Sequence, residues 1–331
     1  MKKRLSVLMV LVLLLSLAGC GKQGGMTPTG YSENYKVAIV QQLDHSSLEE
    51  IRRAIETRLD SLATNEVGIV TTDFNGQNDA SLLNQIGAQI VAEGYDLIIP
   101  IGTLAAQAMV TAADGTEIPI VYAAISDPEG AGLTGFPNVT GTSDALDTQC
   151  ILDMMLLADP DLATVGLLYS NSEANSQKPI AQAKELLAAK GIRCIEATGN
   201  TADEILTAAA SLVGQVDGVF TPTDNVVMAS AGAVAEILTE AGIPHYTGAD
   251  SFVTAGAFAT CGVNYPRLGE VTADMAFDIL RGGNVGPYQV VPGGSITVNG
   301  ATAKALGLDP MIFQGMDTIS TLETSAGEIK N

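Results

Sequence analysis

A few polar residues at the ends of apolar runs set what chemistry this chain can do. Leu97 to Ile101 (LIIPI) reads as a buried strand, and Gly102 and Thr103 follow it to open a helix from Leu104 to Ala113. A helix N-terminus offers free N–H groups and the positive end of its dipole. Glycine lets a ligand reach that backbone, so a carboxylate fits there; the alternative is a tight turn with a threonine cap. Asp224 and Asp250 each follow an apolar run and are the candidates to meet an ammonium group. Asp224 precedes a helix and reads equally as its N-cap; Asp250, in Gly248-Ala249-Asp250-Ser251, is preferred for the amine. Ser126 and Asp127 either bind ligand or fix the turn before Pro128. Asn171 and Asn175 can hydrogen-bond a carboxylate or close Asx turns. Asn225 adjoins Asp224, Gln41 ends the first apolar run, and His45 lies just beyond it.

These residues need a scaffold that brings strand ends together. Lys36–Gln41, Val67–Thr71, Leu97–Ile101 and Ile118–Ala124 read as strands; Leu48–Leu62, Ala80–Ala92 and Leu104–Ala113 read as helices between them. Ser46 or Ser47 can cap the first helix. Alternating βαβ units imply a parallel sheet covered on both faces. After a glycine- and proline-rich crossing at Ser126–Gly141 the pattern repeats. Its strands are Val165–Tyr169, Cys194–Ala197, Gly218–Thr221 and Pro244–Thr247, and its helices Asp147–Leu157, Lys178–Lys190, Glu204–Leu212 and Val226–Ala241. A less regular segment adds strands at Ala259–Tyr265 and Ile296–Val298 and helices at Arg267–Leu280 and Ala301–Leu306. The fold class is therefore α/β, with two Rossmann-like lobes and a cleft at the carboxyl ends of their strands. Met316–Asn331 is polar and is expected to be disordered.

The first residues stand apart. Lys2, Lys3 and Arg4 precede an apolar run from Leu5 to Leu15, too short to span a bilayer, and Leu17-Ala18-Gly19-Cys20 follows. This is a secretory leader. Gly21–Asn34 reads as a flexible tether. The net charge is −21, and losing the three basic residues of the leader takes it to −24. Such a chain does not hold a phosphate backbone, and it does not grip anionic lipid through its surface. After Cys20 there remain Cys150, Cys194 and Cys261, an odd number far apart, expected as buried free thiols with one bridge between an unspecified pair as the alternative. With only His45 and His245 present, no zinc site and no cofactor are expected.

The stretches Gly102–Ala108, Ile118–Ala124 with Ser126-Asp127-Pro128, Asn138–Gly141, Leu168–Ser176, Pro222–Asn225, Gly262–Tyr265 through Leu268-Gly269, and Val298–Gly307 follow one another along the chain. Together they resemble the substrate-binding proteins of ABC importers with the type I periplasmic-binding fold, in the subgroup related to tryptophan- and phenylalanine-binding lipoproteins. Their order and spacing cover about Lys36 to Pro310. Leu17-Ala18-Gly19-Cys20 resembles the lipobox of bacterial lipoproteins, which implies cleavage before Cys20 and its lipidation; the family resemblance implies a multi-strand hinge of three crossings. It places residues 35–142 and 261–284 in lobe one and 143–260 and 285–315 in lobe two, after a leader at 1–19 and a lipid-anchored tether at 20–34.

It further implies an extracytoplasmic monomer, anchored to the cell membrane only through its lipid, that closes on a small ligand and docks on an ABC permease with its ATPase. The implied ligand is an amino acid, and the subgroup points to one with an aromatic or other apolar side chain. The ligand-binding residues expected are Gln41, Gly102, Thr103, Ser126, Asp127, Asn171, Asn175, Asp224, Asn225 and Asp250, and none is expected to be catalytic. Two other readings stay open: a subunit presenting ligand to a membrane receptor, and a binder of a nucleoside or sugar, the latter disfavoured by the absence of tryptophan. No G-x-S-x-G elbow is present and neither histidine has an evident serine or cysteine partner, so an enzyme is not expected.

Overall fold

The structure, a computed structural model, describes residues 33–64, 67–316 and 319–322. The leader, Cys20 and the tether up to residue 32 lie outside the described residues. Lobe one begins β1 (Glu33–Gln41), α1 (Ser46–Leu62), β2 (Val67–Asn75), α2 (Ala80–Glu93), β3 (Leu97–Ile101), α3 (Thr103–Ala112), β4 (Ile120–Tyr122), β5 (Val139–Ser143). Lobe two follows with α4 (Thr148–Ala158), β6 (Thr164–Tyr169), α5 (Ala174–Ala189), β7 (Arg193–Thr198), α6 (Ala202–Ser211), β8 (Gly218–Thr221), α7 (Asn225–Met228), α8 (Ala231–Glu240), β9 (His245–Ala249), α9 (Asp250–Thr254) and β10 (Ala259–Val263). The chain then returns for α10 (Tyr265–Leu280) and β11 (Gln289–Val290), and ends in lobe two with β12 (Ser295–Asn299), α11 (Gly300–Leu306) and β13 (Ile319–Leu322).

The first sheet has the order β11-β5-β4-β3-β1-β2 and the second β13-β12-β10-β9-β8-β6-β7. Every pairing is parallel except β10 with β12. Alternation along the strands explains the layering. Val37 and Ile39 of β1 pack with Ile51, Ile55 and Leu59 of α1 and Leu268 and Ala273 of α10. Ala38 and Val40 point the other way, onto Leu83 and Ile90 of α2 and Met109 of α3. With both faces covered, the central strands are apolar throughout. Gly269 lets α10 lie close on α1, since a Cβ there would meet Ala54 Cβ and Ile51 O at 2.7 Å.

Three crossings join the lobes: 144–147, Asn264, and 291–294. They run side by side. Val291 N donates to Ser143 O at 2.9 Å, and Gly294 N to Gly262 O at 3.2 Å.

Several expectations need correction. β10, with Cys261, belongs to the second sheet, and β11 pairs with β5 in the first, so the chain changes lobe at Asn264 and again after Val290. The expected helix over 226–241 is two helices, because Ser230 leaves helical geometry (φ −123°, ψ 15°). Within the tail expected to be disordered, Ile319–Leu322 pairs with β12 as β13. Tether residues Glu33 and Asn34 begin β1. Cys150 and Cys261 are not free thiols: they form a disulfide tying α4 to β10 within lobe two, while Cys194 is free. Residues 111 apart in sequence gave no spacing signal for that pair.

Candidate functional site

The carboxyl ends of β1, β3 and β4 face those of β6, β8 and β9, and the two lobes are in contact there. Between them lies a cavity lined by His45, Ser47, Gly102, Thr103, Ser126 and Asp144 on one side and by Asn175, Thr223, Asp224, Asn225, Met228 and Phe252 on the other. Leu48, Ala124 and Tyr265 complete it. It is narrow, with a cavity volume of about 10 Å³, room for about one water molecule. An amino acid enters only if the lobes part.

Polar bonds fasten the lobes across this cavity. Gln42 Nε2 donates to Glu173 Oε1 at 2.9 Å and also to Asn78 Oδ1, and Gln42 Oε1 accepts from Leu104 N at the start of α3. The other Glu173 oxygen accepts from Asn225 Nδ2 at 2.6 Å. With its nitrogen so used, Asn225 turns its oxygen to His45, 3.0 Å from Nε2. An amide oxygen only accepts, so the proton sits on Nε2, and Nδ1 is left to accept from Leu48 N as the cap of α1. One chain of hydrogen bonds thus runs from the N-terminus of α3 through lobe two to the N-terminus of α1. Ser47 and Ser251 hydroxyls meet at 2.6 Å, Ser126 and Thr223 at 3.1 Å, and at the rim Lys178 pairs with Asp127 at 3.1 Å.

Burial without cations shifts the titrating groups. His45 is pulled down to about 4, chiefly by burial. Glu173 is pushed up to about 7 by burial and by the neighbouring Asp224. Asp144 and Asp224 are raised, again mainly by burial. Glu50 on α1 rises to about 7 through burial and then the charge of Asp250; Asp250 is itself raised by burial.

The residues expected at the site divide sharply. Gly102, Thr103, Ser126, Asn175, Asp224 and Asn225 line the cavity. Gly102 is the N-cap of α3 at φ +94°, and a Cβ there would come within 2.9 Å of Gln42 Oε1. The Thr103 hydroxyl is buried and has no hydrogen-bond partner. Asn175 is committed through Nδ2 to Thr223 O at 2.7 Å. Asp224 is the N-cap of α7: Oδ1 accepts from Val226 N and Val227 N, Oδ2 from Ser170 N and Ser176 Oγ. These four donors fill it, since a carboxylate offers about four acceptor positions.

Gln41, Asp127, Asn171 and Asp250 do not line the cavity. Gln41 is buried with Nε2 unpartnered. Asn171 is exposed and donates to Thr198 Oγ1 within lobe two. Asp127 belongs to the rim pair. Asp250 begins α9, its Oδ1 buried without a partner. The helix cap expected of Ser46 or Ser47 is His45, which frees Ser47 for its cross-cleft contact.

Sequence reasoning missed Asp144, Glu173 and the role of Gln42. Asp144 lines the cavity, fully buried, and accepts from Ser126 Oγ at 2.9 Å and Tyr265 OH at 3.2 Å. A signal existed for Glu173, a charged residue in a polar loop directly after β6. Ala124, in the cavity wall, holds φ +58°, a strained position for an L-residue of the kind that collects at binding sites. Among the described residues no cluster of His, Cys, Asp or Glu could hold a metal ion, and no helix is long and apolar enough to cross a membrane.

The family model described as ABC transporter substrate binding protein matches residues 36–310. A tyrosine-binding protein of Clostridioides difficile (strain R20291) is 30% identical, covering 98% of both chains. An ABC domain from Streptococcus pneumoniae solved in complex with L-Trp is 27% identical, with a TM-score of 0.79, covering 87% of this chain and all of that one. A ligand-free, open substrate-binding protein with adhesive properties from Clostridium difficile is 32% identical, with a TM-score of 0.66, covering 88% of this chain and 100% of its own.

Proposed function

The chain belongs to the ABC transporter substrate-binding proteins, a family of binders and not of enzymes, and from that premise we propose that it captures an aromatic amino acid in the inter-lobe cleft by hinge closure. The observation that carries the reading is the cavity itself. It lies between two lobes fastened by polar bonds, and at its wall a helix N-terminus and the unpartnered Thr103 hydroxyl await an acceptor-rich group. The α-carboxylate sits at the start of α3 beside the Thr103 hydroxyl, where the dipole of the helix favours negative charge; the space that Gly102 leaves is taken by Gln42. Gln42 already occupies the Leu104 amide, so it holds that helix start in place and is not itself a ligand. Leu48, Met228 and Phe252 supply an apolar wall for the side chain.

The hinge reading draws support from the comparisons. This chain is more identical to the ligand-free, open structure than to the L-Trp complex, yet it superposes better on the complex. That order runs against sequence distance and is the one that a shared closed lobe angle would give. Closure serves function because ligand can shift the lobes only by contacts it makes in the closed form and not in the open one. The protein is an extracytoplasmic lipoprotein, a monomer held by a diacylglyceryl group on Cys20, that hands its ligand to an ABC permease.

The test is thermal unfolding with each amino acid, with nucleosides and with sugars. A ligand present at ~100 times its dissociation constant stabilises the folded chain by ~2.7 kcal/mol. A rise in melting temperature with tyrosine, tryptophan or phenylalanine is expected. A rise only with nucleosides or sugars would remove the amino-acid reading and leave the fold.

A further inference from the structure

We propose that Asp144 receives the ammonium group of the bound amino acid, an inference that rests on the amino-acid reading above. Counting acceptor positions separates the cleft carboxylates. Asp224 is filled by four donors of its own lobe. Glu173 is engaged by Gln42 and Asn225 and does not line the cavity. Asp250 also stands outside the lining. Asp144 lines it, and accepts from Ser126 Oγ, Tyr265 OH and its own backbone amide. At least one of its roughly four acceptor positions therefore stays open.

Asp144 also lacks a cation. No Lys, Arg or His forms an ion pair with it among the described residues. A fully buried carboxylate without a counter-charge is costly, and an ammonium group seated on it offsets that cost by a charge-assisted hydrogen bond. The hydroxyls of Ser126 and Tyr265 fix the direction of the carboxylate in advance.

The position gives the contact a second consequence. Asp144 lies on the first lobe crossing and Tyr265 directly after the second, while Ser126 reaches across the cleft to Thr223. An ammonium group at Asp144 therefore binds to the hinge itself, on a group already tied to both lobes. The amine rewards closure as well as contact, so ligands without it are held weakly and close the lobes poorly.

The experiment is calorimetric titration of the purified chain with L-tyrosine and with 3-(4-hydroxyphenyl)propionic acid, the same molecule without its amine. The unsubstituted chain is expected to prefer L-tyrosine by ~100-fold, the scale of a buried charge-assisted contact. Asp144→Asn is expected to lose that preference while binding the amine-free acid within about threefold of the unsubstituted chain, the scale of a few tenths of a kcal/mol. Asp250→Asn is expected to keep the preference. Tyr265→Phe, which leaves the carboxylate in place but with one donor fewer, is expected to change the preference several-fold. Full preference in Asp144→Asn, or its loss in Asp250→Asn, would overturn the assignment. Should Asp144→Asn fail to fold, an unaltered preference in Tyr265→Phe or a lost one in Asp250→Asn would overturn it equally. Failure of the unsubstituted chain to bind any amino acid would instead remove the amino-acid reading, and this assignment with it.

Discussion

The two lobes repeat one topology yet bring different chemistry to the cleft. Lobe one presents mostly neutral groups, the start of α3, Thr103, Ser126, Gln42, Ser47 and a histidine kept neutral by burial, with Asp144 as its buried acid at the first crossing. Lobe two presents two buried acids, Asp224 in the cavity wall and Glu173 just behind it, each met by donors. Among the described residues lobe one has ion pairs such as Arg52–Glu56 but no disulfide, whereas lobe two carries the Cys150–Cys261 bridge between α4 and β10. The difference teaches where fixed geometry is needed. A neutral donor tolerates some drift, but a buried carboxylate left without its donors costs several kcal/mol, so the face that carries more buried acids gains more from a rigid frame.

Breaking that frame is expected to have the largest effect. In the chain-entropy account a crosslink closing a loop of about 100 residues contributes ~4–5 kcal/mol, and loss of a native bridge commonly costs ~2–5 kcal/mol. Replacing Cys150 and Cys261 by serine should lower the calorimetric melting temperature of lobe two and separate its transition from that of lobe one. An unchanged single transition would show that the two faces do not differ in this way. Next comes Glu173→Ala, which strands the buried amide nitrogen of Asn225 and one bond of Gln42. Each unmade bond to a charged group costs ~1.5–3 kcal/mol, so the lost cross-lobe bond to Gln42 should lower affinity for L-tyrosine ~10- to 100-fold in titration, while the lost bond to Asn225 within lobe two should also lower the melting temperature of the unliganded chain.

The comparison also predicts how pH acts. Glu173 beside Asp224 stands at about 7 when the lobes are together, above its ordinary 4.5. In the proposed closure Glu173 passes from its ordinary value to about 7 and takes up a proton, so its contribution is present below the ordinary value and lost as pH rises through about 7. Glu50, facing Asp250, acts in the same direction. His45, with Asp44 nearby, goes from 6.5 to about 4, so its contribution is present above 6.5 and lost as pH falls toward 4. The acid of lobe two and the histidine of lobe one oppose each other and partly cancel. His45→Gln should expose the acid's share: affinity should drop roughly tenfold from about pH 5.5 to about pH 8. Glu173→Gln should shift the balance the other way, and parallel profiles for both variants would sink the account.

Much of this arrangement was legible before the structure. Apolar runs such as LIIPI and the helical spacing of Leu48–Leu62 locate β3 and α1 because burial selects those residues wherever they occur. Strand-end position located Thr103, Ser126 and Asn225, since ligand loops sit at carboxyl ends in this class of sheet. Partner choice was not legible. Asp224 and Asp144 are the same residue type near strand ends, and only three-dimensional donor counts separate a filled N-cap from a carboxylate with an open position. The cystine pair was hidden for the same reason, its two residues meeting across 111 positions. Asn171 looked identical in kind to Asn175, yet one turns to Thr198 and the other into the cleft.

The rim gives the smallest effect and the sharpest control. Lys178 and Asp127 cross the cleft as the buried bonds do, 3.1 Å apart, but the lysine side chain is 52% exposed. Water screens such a pair, and the entropy of holding a long side chain offsets much of its attraction, leaving ~0–1 kcal/mol. Lys178→Ala should therefore weaken L-tyrosine binding by less than about fivefold. The difference should shrink further in salt near 1 M, where the screening length falls to ~3 Å. Titration at low and high salt distinguishes the two kinds of contact directly, because the Glu173 bonds are shielded from the solvent ions that weaken the rim pair. A Lys178→Ala loss as large as that of Glu173→Ala, unaffected by salt, would mean that closure is held from the edge of the cleft and not from its floor.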